Sequence, residues 1–298
     1  MQTRFLSLHR VLGLVLVGAG LLSSTTGRAG PNDVDLTGLI DKTTGEPRNE
    51  DFRLLTQEMA IVFTPTSMQP AETTGQAGFD FGIEYAAHDI SEQQPYWADV
   101  AAGRRQNRDL FAVLQTLGVR GRKGFILPVP LTSEIELGAT WLVDSSLVNL
   151  GGNVRLALNE GFMWIPDIAV MAGINNVLGA DELQLVTVTA GGSVSKGFGL
   201  AGSVNLCPFV SYQSIFYNAS TKVIDPDPRN TSDVGENIVF DEVPIDDFQN
   251  RVDRISVGAR LNVAVVQITA GADFNLIPDG ANEPRLLTQF GARVGLLF

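Results

Sequence analysis

The chain has 298 residues and a formal charge of −12, with 44% hydrophobic and only 18% charged residues. The acidic balance argues against nucleic acid as a partner, because phosphate binding needs basic clusters. A lone cysteine, Cys207, excludes an intramolecular disulfide framework and a CxxC metal pattern, while 31 Gly and 14 Pro in short polar punctuations suit strands and turns better than helices.

At the N-terminus, Arg4, His9 and Arg10 precede an apolar run from Val11 to Leu22 that ends in SSTTGRAG. A basic start, a short apolar stretch and small residues at Gly27 and Ala29 predict a secretory signal peptide over 1–29, cleaved after Ala29. An uncleaved anchor helix is the alternative, but spanning needs roughly 20 apolar residues and this run is shorter. Residues 30–76 are expected to form a periplasmic leader or a lumen plug, with 50–63 as the segment that would fold into the lumen. Within them 30–49 read as a mobile polar leader with Pro31, Gly38, Gly45 and Pro47. Next, Phe52, Leu55, Met59, Val62 and Phe63 recur at helical spacing over 50–63, with Asn49 placed to cap the start. The AIVF end of that stretch suits a strand equally well, and Pro65 and Pro70 then break the chain.

From residue 77 onward, segments with a period of two recur, which is the alternation of a strand with two unlike faces. They fall at 78–86, 113–125, 133–143, 152–159, 167–175, 185–195, 199–212, 254–262, 266–274 and 286–298. Short turns are expected after the second, fourth, sixth (at Lys196–Gly197) and eighth strands, and longer loops after the odd-numbered ones. The loop over 87–109 holds His88, Tyr96 and Trp97, and His88 reads there as loop polarity rather than a ligand. The acidic connection 213–253 lacks DxDxDG-type spacing and reads as a solvated loop better than as a Ca²⁺ site. GGSVSKGFG at 191–199 sits between strands, not before a helix, so a phosphate role is not expected.

The final segment, LLTQFGARVGLLF, sets Phe290, Ala292, Val294, Leu296 and Phe298 on one face and Gly291, Arg293, Gly295 and Leu297 on the other. In a closed membrane barrel such a face meets lipid, and the last strand pairs with the first so that no edge remains. The predicted fold is therefore an all-β antiparallel transmembrane barrel over 77–298, with about ten strands and eight to twelve allowed. Strand number, loop rhythm and the signal segment together resemble bacterial outer-membrane β-barrel proteins as a class. That resemblance implies an outer-membrane location, contact with outer-membrane lipid, and both termini in the periplasm. It also implies that Phe290, Val294, Leu296 and Phe298 act as the end-strand signal read by the barrel assembly machinery.

The other face of the strands carries charge. Asp80 and Glu84 on the first strand are followed by Arg120 and Arg122, then Glu134 and Glu136, then Arg155, then Asp167; Arg260, Asp273 and Arg293 complete the set. Barrel closure would bring Arg293 beside Asp80 and Glu84. Buried charges are costly unless paired, and opposite signs on neighbouring strands supply the pairing. These groups suit salt bridges that fill the barrel, a selective polar pore, or catalytic carboxylates at a rim. The leading functional reading is a structural or narrow-channel, porin-like barrel with a small solute as candidate cargo. An embedded enzyme and an exported soluble binding protein are the alternatives. No metal or other cofactor is expected. Tyr85, Tyr96, Trp97, Trp141 and Trp164 suit interfacial girdle positions, with Trp141 also readable as core.

Overall fold

A computed structural model describes residues 30, 32–66, 69–100, 113–126, 131–162, 164–180, 182–225, 237–245, 250–278 and 284–298. The expected signal segment and its cleavage site lie outside them. Among the described residues two α-helices, α1 (Asn49–Phe63) and α2 (Pro95–Val100), accompany eleven strands. These are β1 (Phe79–Asp89), β2 (Val113–Ile126), β3 (Thr132–Leu142), β4 (Val148–Asn159), β5 (Asp167–Leu178), β6 (Leu183–Ser195), β7 (Phe198–Ala201), β8 (Val204–Thr221), β9 (Arg251–Val263), β10 (Val266–Ile277) and β11 (Arg285–Leu297).

Alternation dictates the ring. Along β1, odd-numbered Phe79, Phe81, Ile83 and Tyr85 are exposed while Asp80, Glu84, Ala86 and His88 are buried. Sequential strands pair antiparallel except β6 and β7, which both pair with β8 (Thr189 of β6 opposite Ile215), and β1 also pairs with β11 (Ile83 opposite Val294). Ten strands thus close on themselves, and β7 is a continuation of β6 rather than an eleventh stave. Lys196 N–H still donates to Pro208 O at 3.2 Å, in step with Ser195 opposite Phe209 and Phe198 opposite Leu206. Pro208 has no N–H to return, so the ladder lapses at Lys196–Gly197.

Several expectations need correcting. The turn placed at Lys196–Gly197 falls instead at Gly202–Ser203, where Gly202 adopts a φ of 53°. The strand after it runs on to Thr221, so the acidic connection begins there and not at 213. Alternation is hard to see in that strand because Ile215, Tyr217 and Ala219 are buried inside while Phe216 faces outward. Loop length does not separate the two ends cleanly either: the links 143–147 and 179–182 are short, yet they share an end with the long connections 90–112 and 222–250.

The leader is also not a loose tail. Leu36 and Leu39 form a buried 3₁₀ turn, and Phe52, Leu55, Met59, Val62 and Phe63 of α1 join them in one apolar cluster. Leu114, Leu142, Val177, Leu185 and Tyr217 from the strand ends complete it, together with Tyr96 and Trp97. Stacked Phe52 and Phe240, centroids 5.0 Å apart, tie α1 to the β8–β9 connection. All of this lies at the end of the barrel opposite Phe298, whose backbone pairs with Phe79. The expectation that both ends of the mature chain share one side therefore fails for the described residues.

Candidate functional site

The interior changes character along its length. Near the α1 end it is apolar, where Ile61 packs with Ile215, Val252, Ile277 and Leu287. Below that level the inward positions are charged, and they form a connected network. Arg120 Nε reaches Glu84 at 2.6 Å and its Nη1 reaches Glu136 at 3.1 Å. Arg122 Nε lies 3.1 Å from Asp80 and its Nη1 3.6 Å from Glu134. Arg155 meets Glu134 at 3.4 Å, and Arg293 forms a close ion pair with Asp80. Gly82 makes room for that last pair, since a Cβ there would stand 2.6 Å from the Arg293 guanidinium. Glu84 sits opposite Arg293 in register, yet its carboxylate goes to Arg120.

Three of the anticipated groups find other partners. Asp167 accepts the Gly161 N–H at 2.8 Å and not an arginine. Arg260 pairs with Glu72, which lies before β1. Asp273 accepts from Gln289 at 2.6 Å and stands 4.0 Å from Arg254. Phe290, Val294 and Leu296 on the outside of β11, and Phe298 just after it, are 43–69% exposed.

Sequence reasoning missed a second set of groups, which bind the chain between α1 and β1. We call residues 64–78 the strap. Thr66 donates to Glu84 and Gln69 donates to Glu136, both in close contact. Ala71 N–H donates to Ser195 Oγ at 3.0 Å, Thr73 N–H to Glu160 at 3.0 Å, and Thr74 N–H to Glu134 at 2.9 Å. Gly124 admits the strap backbone, because a Cβ there would lie 2.9 Å from the Gly75 carbonyl carbon. At the upper end Arg254 donates to Ile61 O (2.9 Å), Thr64 O (3.2 Å) and Pro65 O (2.9 Å), and its Nε donates to Asn275 at 2.7 Å. α1 has no basic residue in its last turn, so the barrel wall supplies the cation that its C-terminal carbonyls favour. No periodicity marks the strap, so nothing in the sequence singles out 64–78 from the rest of the segment read as leader or plug.

Glu58 anchors the other face of α1. Its fully buried carboxylate accepts from Ser91 N–H (2.9 Å), Tyr96 Oη (2.7 Å) and Trp97 Nε1 (2.6 Å), and pairs with Arg285 at 3.0 Å. Tyr96 and Trp97 are therefore core residues, not girdle residues. Burial, and then the Glu58 charge beside it, pushes the Tyr96 phenol above its ordinary value. Trp141, Trp164 and Tyr85 remain exposed as a girdle requires. His88 is likewise not loop polarity. It lies buried within β1, with Nδ1 3.1 Å from Gln289 on β11 and Nε2 2.8 Å from Thr116 on β2, and bridges the two strands that flank its own.

On the outside, Leu137, Val154, Ile174, Val257 and Ile268 are each at least 45% exposed, as are Phe81 and Phe290. An even-numbered, closed antiparallel barrel with an apolar exterior defines the class of membrane-spanning β-barrels, the outer-membrane type. No protein-family model matches the chain, and no curated protein matches its sequence. Among solved structures, an outer membrane channel of Pseudomonas putida F1 is 13% identical, covering 78% of this chain and 99% of its own, with a TM-score of 0.34. LpxR from Salmonella typhimurium is 12% identical, covering 74% and 100%, at 0.34. The translocator domain of autotransporter NalP from Neisseria meningitidis is 10% identical, covering 84% and 98%, at 0.36.

Proposed function

We propose that the protein is exported by its N-terminal signal, is inserted in the bacterial outer membrane through its end-strand residues, and serves there as a closed structural barrel whose lumen plug is its own strap. The observation that carries this reading is the set of hydrogen bonds from Thr66, Gln69, Ala71, Thr73 and Thr74 to inward-facing groups of β1, β3 and β6 and to Glu160. Ten strands make a lumen little wider than the eight-stranded barrels that side chains fill. Four arginines of the charge network (Arg120, Arg122, Arg155 and Arg293) already occupy much of that width. The remainder is a narrow path that the strap obstructs, so a porin-like channel is latent and opens only when the strap leaves.

The apolar exterior supports contact with lipid, and the carboxylates support structure rather than catalysis because each is bound to an arginine, an amide or a hydroxyl of the network. The test is conductance in planar bilayers. The full chain is expected to show no steady open step, and a chain lacking residues 30–76 is expected to show narrow, long-lived openings. Equal conductance from the two would remove the plug, and a large permanent step from the full chain would remove the closed lumen.

A further inference from the structure

We infer that this barrel carries its own N-terminal segment through the lumen, so that residues 32–63 stand on the cell's outer surface. The inference rests on the outer-membrane reading above and adds a direction to it. Asn32 N–H donates to Asp144 O at 3.1 Å, Asp33 accepts from Ser146 N–H at 2.7 Å, and Arg48 pairs with Asp99 at 2.5 Å. These partners lie in the β3–β4 link and in α2, at the end where the long connections gather. Long connections face outward in outer-membrane barrels. The chain must nonetheless reach the opposite end to start β1, where Gly78 and Phe79 lie beside Phe298.

Only the strap joins the two ends, and it is long enough. Its residues 64–78 can reach about 50 Å when extended. A strand of 13 residues such as β9, tilted by about 40°, rises only about 33 Å. The strap is also thin where it must be. It carries no aromatic residue, and its sequence, TPTSMQPAETTGQAG, is small and polar for most of its length. Above it sits bulk: α1 with its side chains is about 10–12 Å across, and Phe52, Met59 and Phe63 are buried in the cap. A lumen crossed by the Asp80–Arg122–Glu134 network has no room for that helix. The segment therefore passes while the ring is still forming, and the finished cap cannot be withdrawn. Export of residues 32–63 is coupled to barrel folding, and anything fused ahead of residue 32 would be displayed outside.

The experiment uses the full chain with Cys207, which is fully buried, replaced by Ala. Lys42→Cys in the cap and Trp164→Cys in the β4–β5 link are made separately, both at exposed sites. Intact cells are treated with a membrane-impermeant maleimide, then again after the outer membrane is permeabilised, and heat-modifiable migration confirms the folded barrel in each case. Lys42→Cys is expected to label at least tenfold more than Trp164→Cys on intact cells, with both labelling after permeabilisation. Labelling of Lys42→Cys only after permeabilisation, with migration still heat-modifiable, overturns the inference and leaves the barrel reading standing. Labelling of Trp164→Cys alone on intact cells also overturns it, by reversing the direction. Loss of heat-modifiable migration in the unsubstituted chain sinks the barrel reading itself and the inference with it.

Discussion

Replacing Arg254 tests how the strap is held. The guanidinium is fully buried and donates to three backbone carbonyls at the end of α1 and to Asn275, with Asp273 at 4.0 Å. Arg254→Met keeps most of the side-chain volume and removes every donor. Hydrogen bonds to charged groups contribute about 1.5–3 kcal/mol each, but bonds that share one guanidinium are not additive. Leaving a buried partner uncompensated costs about 3–5 kcal/mol, and we expect that range for Arg254→Met. Arg254→Lys keeps the charge and loses the fork, so about half that loss is expected. Urea unfolding in lipid vesicles, followed by tryptophan fluorescence, measures the change, and limited proteolysis reads release of residues 64–78. A loss under about 1 kcal/mol with the strap still protected would refute the assignment of Arg254 as its anchor.

Three further outcomes follow from the same geometry. Gly124→Val places side-chain carbons where Thr74 and Gly75 run; strap displacement is expected, seen as new openings in bilayer recordings, and an unchanged closed trace would contradict the contact. Exchanging Asp80 and Arg122 should not restore the stability lost in the single reversals, because the new arginine would face Arg293 and the new aspartate would face Glu134. A double-mutant cycle that shows full rescue would mean the pair is isolated rather than part of a network. Leu137→Arg, at a position 67% exposed on β3, is expected to cost about 2–4 kcal/mol in lipid. The same change would be nearly neutral if water bathed that face.

What the sequence made legible follows from what the environment demands of it. Lipid requires an apolar residue at each outward position, so the alternation of Phe79, Phe81, Ile83 and Tyr85, or of Phe290, Val294 and Leu296, can be read directly. A crowded interior requires its charges to be paired, so opposite signs on neighbouring strands could be read, as could Arg293 beside Asp80; which carboxylate each arginine takes, as when Glu84 goes to Arg120 and not to Arg293, could not. The rest depends on contacts between distant residues. Arg260, Glu160 and Arg254 meet the strap or anchor it across more than eighty residues of sequence. Nothing local in TPTSMQPAETTGQAG sets it apart from a linker. Tyr96 and Trp97 stand after a strand as girdle residues do, and only the buried Glu58 carboxylate reveals that they face inward. Where inner and outer faces both become apolar, as around Ile215–Tyr217, the period of two disappears and the strand end is lost with it.

The most direct test of the central claim is a cross-link between strap and wall. With Cys207→Ala as background, Ala71→Cys and Ala169→Cys place thiols on side chains that now pack in one buried cluster with Ala157. In the folded, heat-modifiable form, oxidation is expected to join them in most molecules, giving a changed migration that reverses on reduction. A fully folded barrel in which the two cysteines stay free after oxidation would contradict a lumen filled by the protein's own strap.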